Sequence, residues 1–246
     1  MILEVDIGNT RIKWRRILCC GSGIVAEGVS ADEDELIAGQ ASFDKPEVFR
    51  FCNVRDEHVT KRIADWSYTN WNLRPVIATV RRECGGVKIS YPDVSCLGAD
   101  RWLAMLSAFK KSKGACIVVD SGTAFTLDVL DDDGMHLGGY ILPGLELMKE
   151  SLITKTGIRL GGNHIEPSIG LGNSTDEAVV NGGLASFVAL VEKNMTRLRA
   201  IGSDPSVFFS GGDAQILGTL IDFPTLRVET SLVLDGLAIA CIHPEG

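Results

Sequence analysis

Two acids set in the same short pattern are the residues best equipped for chemistry. Near the start of the chain, Ile2-Leu3-Glu4-Val5-Asp6-Ile7-Gly8-Asn9-Thr10 is an apolar run that ends on an acid and turns through Gly and Thr. Ile117-Val118-Val119-Asp120-Ser121-Gly122-Thr123 repeats it, and Ala124-Phe125-Thr126-Leu127-Asp128 resumes as a second apolar run. The β-branched residues predict a buried strand, and the glycine lets backbone N–H groups approach a ligand unobstructed. The threonine adds a hydroxyl, and the carboxylate stands where a cation could be held beside phosphates. One such turn is equally an ordinary polar strand-to-strand connection. Two of them, 120 − 6 = 114 residues apart and one opening each half of the chain, suggest duplication.

Further candidates lie downstream. Gly98-Ala99-Asp100-Arg101 opens a helix, so an acid and a base stand together near free N–H groups, either gripping a ligand or merely favouring the helix dipole. Ser174-Thr175-Asp176-Glu177 reads as the cap of a long helix, and a structural cap is the default account of Thr175. Ser210-Gly211-Gly212-Asp213 follows an apolar strand; glycine there leaves room for a flat ligand, or simply makes a β-to-α turn.

These residues need a scaffold, and 246 residues supply two domains of about 110 to 130 residues each. The expected architecture is α/β, with two duplicated βββαβα domains, 1–113 and 114–246, facing each other across a nucleotide cleft. Net charge is −8 and the pI is near 5.1, with no long basic block, which argues against a nucleic-acid partner. No apolar run is long enough to span a bilayer and no basic leader precedes Glu4, so a cytoplasmic protein without a membrane partner is expected. The seven cysteines have no metal-ligand spacing with the four histidines, which argues against a structural zinc and fits reduced thiols.

In chain order, strands are expected at Met1–Asp6, Arg11–Leu18 (carrying Lys13) and Ile24–Ala26. Gly21-x-Gly23-x-x-Ala26 resembles a dinucleotide fingerprint, but no helical pattern follows, so Cys19–Gly23 is read as a turn. Asp32 with Glu35 forms a capping box; Glu57–Trp66 reads as a helix, and Val48–Phe51, Pro75–Val80 and Val87–Tyr91 as strands. In the helix after Gly98, Trp102, Leu103, Leu106 and Phe109 form the core face, and Lys110–Gly114 is a connector. Asp131-Asp132-Asp133-Gly134 is expected to be three solvated carboxylates closing a hairpin. His136–Gly144 reads as a strand, Leu145 to about Leu152 as a helix, and the Thr156–Gly172 loop is long enough to suggest function. A helix follows to Met195, with Gly182-Gly183 permitting close packing, and the chain ends in an apolar helix, Leu232–Ile242.

Taken together, Asp6-Ile-Gly-Asn-Thr10, Gly98-x-Asp100-Arg101, Asp120-x-Gly-Thr-Ala124 with Thr126 and Asp128, Gly138-Gly-x-Ile-x-Pro-Gly144, Asn173-Ser-Thr175 and Ser210-Gly-Gly212 resemble the type III pantothenate kinases. These belong to the superfamily of sugar kinases, heat-shock chaperones and actin, so the resemblance implies that the two domains are actin-like (ribonuclease H-like). The resemblance implies ATP-dependent phosphorylation of pantothenate, the first step of coenzyme A synthesis, in a homodimer using Mg²⁺ and a monovalent cation, K⁺ or NH₄⁺. It implies that Asp6, Ile7, Gly8, Asn9, Thr10, Arg11, Ile12 and Lys13 bind ATP phosphates, with Asp6 serving Mg²⁺ through phosphate or water. Thr123, Gly211 and Gly212 would also contact ATP, and Asp120 would hold the monovalent cation. Tyr91, Gly98, Ala99, Asp100 and Arg101 would hold pantothenate, Thr175 would join from the partner subunit, and Asp100 would be the catalytic base. Ser121, where the family commonly carries bulkier residues, is a mild departure. No Gly-Lys-Ser/Thr phosphate loop is present, which excludes the P-loop type of pantothenate kinase. Two alternatives share the turns: a sugar or acetate kinase, and a regulatory accessory protein that binds nucleotide without turnover.

Overall fold

The computed structural model describes residues 1–19, 23–162 and 165–241. Cys20–Ser22 of the expected first turn, residues 163 and 164 of the long loop, and Ile242 at the expected end of the last helix lie outside the described residues. The chain divides into two compact units, Met1–Gly85 with Tyr91–Ser107 and Leu232–Gly246, and Gly86–Ser90 with Ala108–Ser231.

In the first unit, β1 (Ile2–Ile7), β2 (Ile12–Ile17) and β3 (Ile24–Ser30) form an antiparallel meander. Helix α1 (Glu33–Ala41) then leads to β4 (Val48–Asn53), parallel to β1, and α2 (Glu57–Trp71) to β5 (Val76–Ile77), parallel to β4. The strand order is β3-β2-β1-β4-β5. The two parallel pairs require crossover connections, which α1 and α2 provide. The Asp32 carboxylate accepts from Glu35 N at 2.9 Å, the N-cap half of the expected capping box, while Glu35 accepts from Ala31 N, one residue before the cap, at 2.7 Å. Helix α2 runs five residues past its expected end at Trp66, to a left-handed cap at Asn72, because Trp71 is buried against Phe49 and Trp66. The strand expected over Pro75–Val80 is only two residues long, at the sheet edge.

Two short strands follow, β6 (Glu83–Cys84) and β7 (Val87–Lys88), the latter shorter than the Val87–Tyr91 run expected, then a 3-10 turn at Val94–Cys96 and helix α3 (Ala99–Ser112). Trp102, Leu103 and Leu106 of α3 are fully buried. The helix continues through most of the stretch expected as a connector.

The second unit repeats the pattern. Strands β8 (Cys116–Ser121), β9 (Ala124–Leu130) and β10 (His136–Pro143) are antiparallel neighbours. Helices α4 (Leu145–Lys155) and α5 (Thr175–Ala200) precede β11 (Ser206–Ser210), and α6 (Ala214–Leu220) precedes β12 (Leu226–Val228). The order β10-β9-β8-β11-β12 matches the first sheet position for position. Ile117, Val119, Phe125, Leu127, Val207 and Phe209 form its core with Phe187 and Leu184 of α5. A Cβ on Gly183 would lie 2.8 Å from Leu145 Cδ2, so this glycine lets α5 approach α4, whereas Gly182 faces open space.

Asp132 lies exposed in the turn between β9 and β10, as expected, and it also makes structural hydrogen bonds. Its carboxylate accepts from Ala115 N at 2.9 Å and from Ser203 Oγ at 2.6 Å, tying three segments of the second unit together.

The last helix, α7 (Leu232–Ala240), packs on β1 and β4 of the first unit. Gly236 is required there, since a Cβ would overlap the Leu103 backbone. Beneath it the fully buried Glu4 carboxylate accepts from both Arg15 and Arg50, and Arg15 Nη1 meets Asp235 at 2.7 Å.

Candidate active site

In the first unit, Ile7 and Ile12 are buried on either side of the Gly8–Arg11 turn, so the core fixes both ends of the hairpin while Asn9, Thr10 and Arg11 face solvent. Asp6, only 8% exposed, is paired in register with Lys13 on β2 and with Cys52 on β4. Directly opposed residues project to the same face of a sheet. Cys52 Sγ donates to Asp6 Oδ1 at 3.3 Å. Burial pushes the Cys52 thiol well up, and Asp6 and then Asp100 push it further, so it stays a neutral donor. Asp6 thus has a thiol partner that no local sequence pattern selects.

Asp100 sits at the start of α3, and its Oδ1 accepts from Arg101 N at 2.7 Å. A Cβ on Gly98 would lie 2.6 Å from that oxygen, so glycine is what lets the carboxylate fold back over the helix start. Arg101 is buried, and its Nη1 donates to Tyr91 Oη at 3.3 Å. Arg82 donates to the carbonyls of Tyr91 and Pro92, fixing the segment that carries the ring. The structure thus brings Tyr91, Gly98, Ala99, Asp100 and Arg101 together within one unit.

In the second unit, Asp120 holds the place on β8 that Asp6 holds on β1, but its neighbours in register are Thr126 and Ser210. Hydroxyls stand where the first unit has an ammonium and a thiol. The turn between the strands is two residues, Gly122 and Thr123, against four in the first hairpin. Gly144 N donates to Thr123 O at 2.9 Å, and a Cβ on Gly144 would overlap the carbonyls of Gly122 and Thr123. The turn is therefore seated on the Pro-Gly corner that starts α4. Asp128, of the same motif, is buried and meets His136 Nε2 at 2.9 Å.

Gly211 has a positive φ of 93°, and a Cβ there would overlap the Ser121 backbone. Its first requirement is thus the neighbouring strand, while Gly212 has open space above it. Asp213, not singled out beforehand, accepts from Ser121 Oγ at 3.1 Å and donates its N–H to Ser121 O at 3.0 Å. Its carboxyl lies above the usual range, chiefly through burial and further through Glu146, with the Ser121 hydrogen bond opposing.

Thr175 is the exposed first residue of α5. The cap belongs to Ser174, whose Oγ accepts from Glu177 N at 3.2 Å, while Glu177 accepts from Asn173 N at 2.6 Å. The Thr175 hydroxyl is outside that reciprocal pair.

Two sheets of one strand order, each with an acid before a Gly-Thr turn, define an actin-like domain pair of the kind that kinases are built on. Among solved structures, a Baf family protein from Campylobacter jejuni matches with a TM-score of 0.62 at 20% identity, covering 95% of this chain and 94% of that one. MreB 5 of Spiroplasma citri, bound to AMPPNP, matches with a TM-score of 0.51 at 9% identity, over 96% and 94%. At such identities the likeness concerns fold alone. The sequence narrows it: the family described as Type III pantothenate kinase matches residues 2–197. Type III pantothenate kinases of Pseudomonas fluorescens and Pseudomonas putida are 39% and 38% identical over 248 residues, 98% of this chain and 99% of theirs. The chain belongs to the type III pantothenate kinase family.

Proposed function

We propose that the chain transfers the γ-phosphoryl group of ATP to the terminal hydroxyl of (R)-pantothenate, giving 4'-phosphopantothenate, the first step of coenzyme A synthesis. Family membership over nearly the whole chain carries this reading. The placing of Asp6 in register with Lys13, and of Asp100 at a helix start beside Arg101 and Tyr91, supports the roles given to those two acids.

Phosphoryl transfer asks a protein mainly for positioning and for neutralisation of the triphosphate. The Asp6–Lys13 hairpin presents N–H groups and the Lys13 ammonium to the phosphates. Thr123 adds a hydroxyl, and Gly211 and Gly212 lie against the nucleotide. Asp100 accepts the proton of the pantothenate hydroxyl as its oxygen attacks the γ-phosphorus and ADP departs. Arg101, braced by the Tyr91 hydroxyl, pairs with the pantothenate carboxylate, a pairing that guanidinium geometry suits.

Among the described residues no cluster of three or more His, Cys, Asp or Glu could hold a metal unaided. That fits Mg²⁺, which binds through one or two carboxylates plus substrate phosphates, and Asp6 would serve it through water or phosphate. Asp120, flanked in register by Thr126 and Ser210, offers the oxygen donors that K⁺ or NH₄⁺ requires. Bound cations supply charge neutralisation.

The working form in this reading is a homodimer in the cytoplasm, with Thr175 completing the partner's site. Leu171 is 99% exposed, and Ile169, Leu147 and Ile153 are also exposed on α4 and before α5, supporting a covered face there. Among the described residues no helix is long and apolar enough to cross a membrane. The net charge of −8 speaks against nucleic acid.

A coupled ADP-release assay, with and without pantothenate and in potassium or sodium buffer, tests the assignment. Release that requires pantothenate is the expected result; release driven only by a sugar or acetate, or nucleotide binding without turnover, would overturn it.

A further inference from the structure

We propose that Arg55 is a positioning residue for ATP, holding the Gly8–Thr10 turn in its phosphate-binding shape through the Gly8 carbonyl. The proposal rests on the assignment of that turn to ATP made above. Arg55 Nε donates to Gly8 O at 2.7 Å, and Arg55 Nη1 meets Glu33 Oε2 at 3.3 Å. Both side chains are more than four-fifths screened from solvent, at 18% and 17% exposure, so this pair is less weakened by water than a surface ion pair. Glu33, the first residue of α1, also faces Arg62 of α2 at 3.6 Å. A line of charge therefore runs from α2 through α1 to the turn.

The base of the side chain is fixed as well. Arg55 N donates to Asn53 Oδ1 at 2.9 Å, and Asn53 Nδ2 donates to Asp56 O at 2.9 Å and to Thr60 Oγ1 at 2.7 Å. Val54 N donates to Ile7 O at 3.1 Å, extending the β1–β4 pairing to the edge of the turn. Arg55 is thus anchored at its backbone and at its head without any ligand.

A turn that offers N–H groups to phosphates must keep its own carbonyl dipoles from facing them. A guanidinium on the Gly8 carbonyl fixes the direction of that dipole and adds positive charge beside the triphosphate. The planar fork donates in two directions at once, to Gly8 and to Glu33, which an ammonium on a flexible stem does not reproduce. Because the turn is organised before binding, losing the brace adds an ordering cost to ATP binding.

The test uses the full-length chain with Arg55→Met, Arg55→Lys and Glu33→Gln. The KM for ATP and for pantothenate are measured separately, beside unliganded melting temperatures. Arg55→Met is expected to raise the KM for ATP about tenfold or more, the scale of a lost charged hydrogen bond, and leave the KM for pantothenate unchanged. Arg55→Lys should fall between it and wild type, and Glu33→Gln should shift ATP in the same direction by less. A wild-type KM for ATP in Arg55→Met, or equal shifts for both substrates, overturns the proposal. Should Arg55→Met fail to fold, unchanged ATP values in Arg55→Lys and Glu33→Gln overturn it instead. If the wild-type chain itself shows no pantothenate-dependent turnover, the functional reading fails, and the thermal shift induced by Mg-ATP reads the effect of Arg55 on its own.

Discussion

Asp6 and Cys52 stand side by side on parallel strands, with the Cys52 thiol donating to the Asp6 carboxylate at 3.3 Å. The corresponding neighbours of Asp120 are Ser210 and Thr126. The same strand position is thus occupied by an acid in both units, one beside Lys13 and a thiol, the other among hydroxyls. The two acids should therefore answer to different cations.

Asp6→Ala is expected to impair Mg²⁺-dependent use of ATP, while Asp120→Ala mainly abolishes activation by potassium or ammonium. Steady-state rates in sodium, potassium and ammonium salts check both. Equal wild-type rates in all three salts would refute the role given to Asp120.

Asp100→Asn should lower turnover by about 10² to 10⁴, the range for loss of a general base, with ATP affinity nearly unchanged. The carboxylate's bond to Arg101 N at 2.7 Å is one an amide oxygen can also accept, so the helix start should survive. Near-normal kcat in this variant would remove Asp100 from the mechanism.

The proposed homodimer, with Thr175 completing the partner's site, makes a mixing prediction. Asp100→Asn and Thr175→Arg homodimers should each be inactive. After subunit exchange, a mixed dimer carries both lesions in one site and none in the other. Random assortment at 1:2:1 should then restore roughly a quarter of wild-type activity. No recovery after independently demonstrated exchange would show that both residues serve one chain's site.

Asp132 supplies a pH test of stability. The hydrogen bonds from Ser203 Oγ and Ala115 N hold its carboxyl below the ordinary value of 3.8. A carboxyl depressed in the folded state contributes stability above its unfolded value, and that contribution disappears as pH falls through the folded value. Asp132→Asn should therefore be less stable than wild type at pH 7, and the gap should close as pH falls through the depressed folded-state value, below the ordinary 3.8. Denaturant titrations at several pH values measure this; a gap that is the same at pH 7 and in acid would exclude the carboxylate as its source.

Much of this was legible in the residues themselves. The two acid-glycine-threonine turns, the helix start at Gly98 and the helix caps at Asp32 and Ser174 are local patterns. Strand alternation, capping chemistry and glycine placement act over a few residues, so a linear reading finds them. Element ends were less legible: α2 runs on to Trp71 because that ring finds Phe49, a contact set by tertiary packing.

By itself, then, the sequence determined which acids could work and which turns present them. Tertiary structure alone decided their company. Parallel strands joined through helices carry no local signal of register, so nothing near Asp6 announces Cys52, 46 positions on, and nothing near Ser121 announces Asp213. The same holds for Arg55 on the Gly8 carbonyl. The apolar helix α7 could have covered many surfaces; it lies on β1 and β4, where Arg15 meets Asp235 and Gly236 fits against the Leu103 backbone. Burial of apolar area is non-directional, whereas a buried charge or a missing Cβ accepts few partners, and those are found only once the chain has folded.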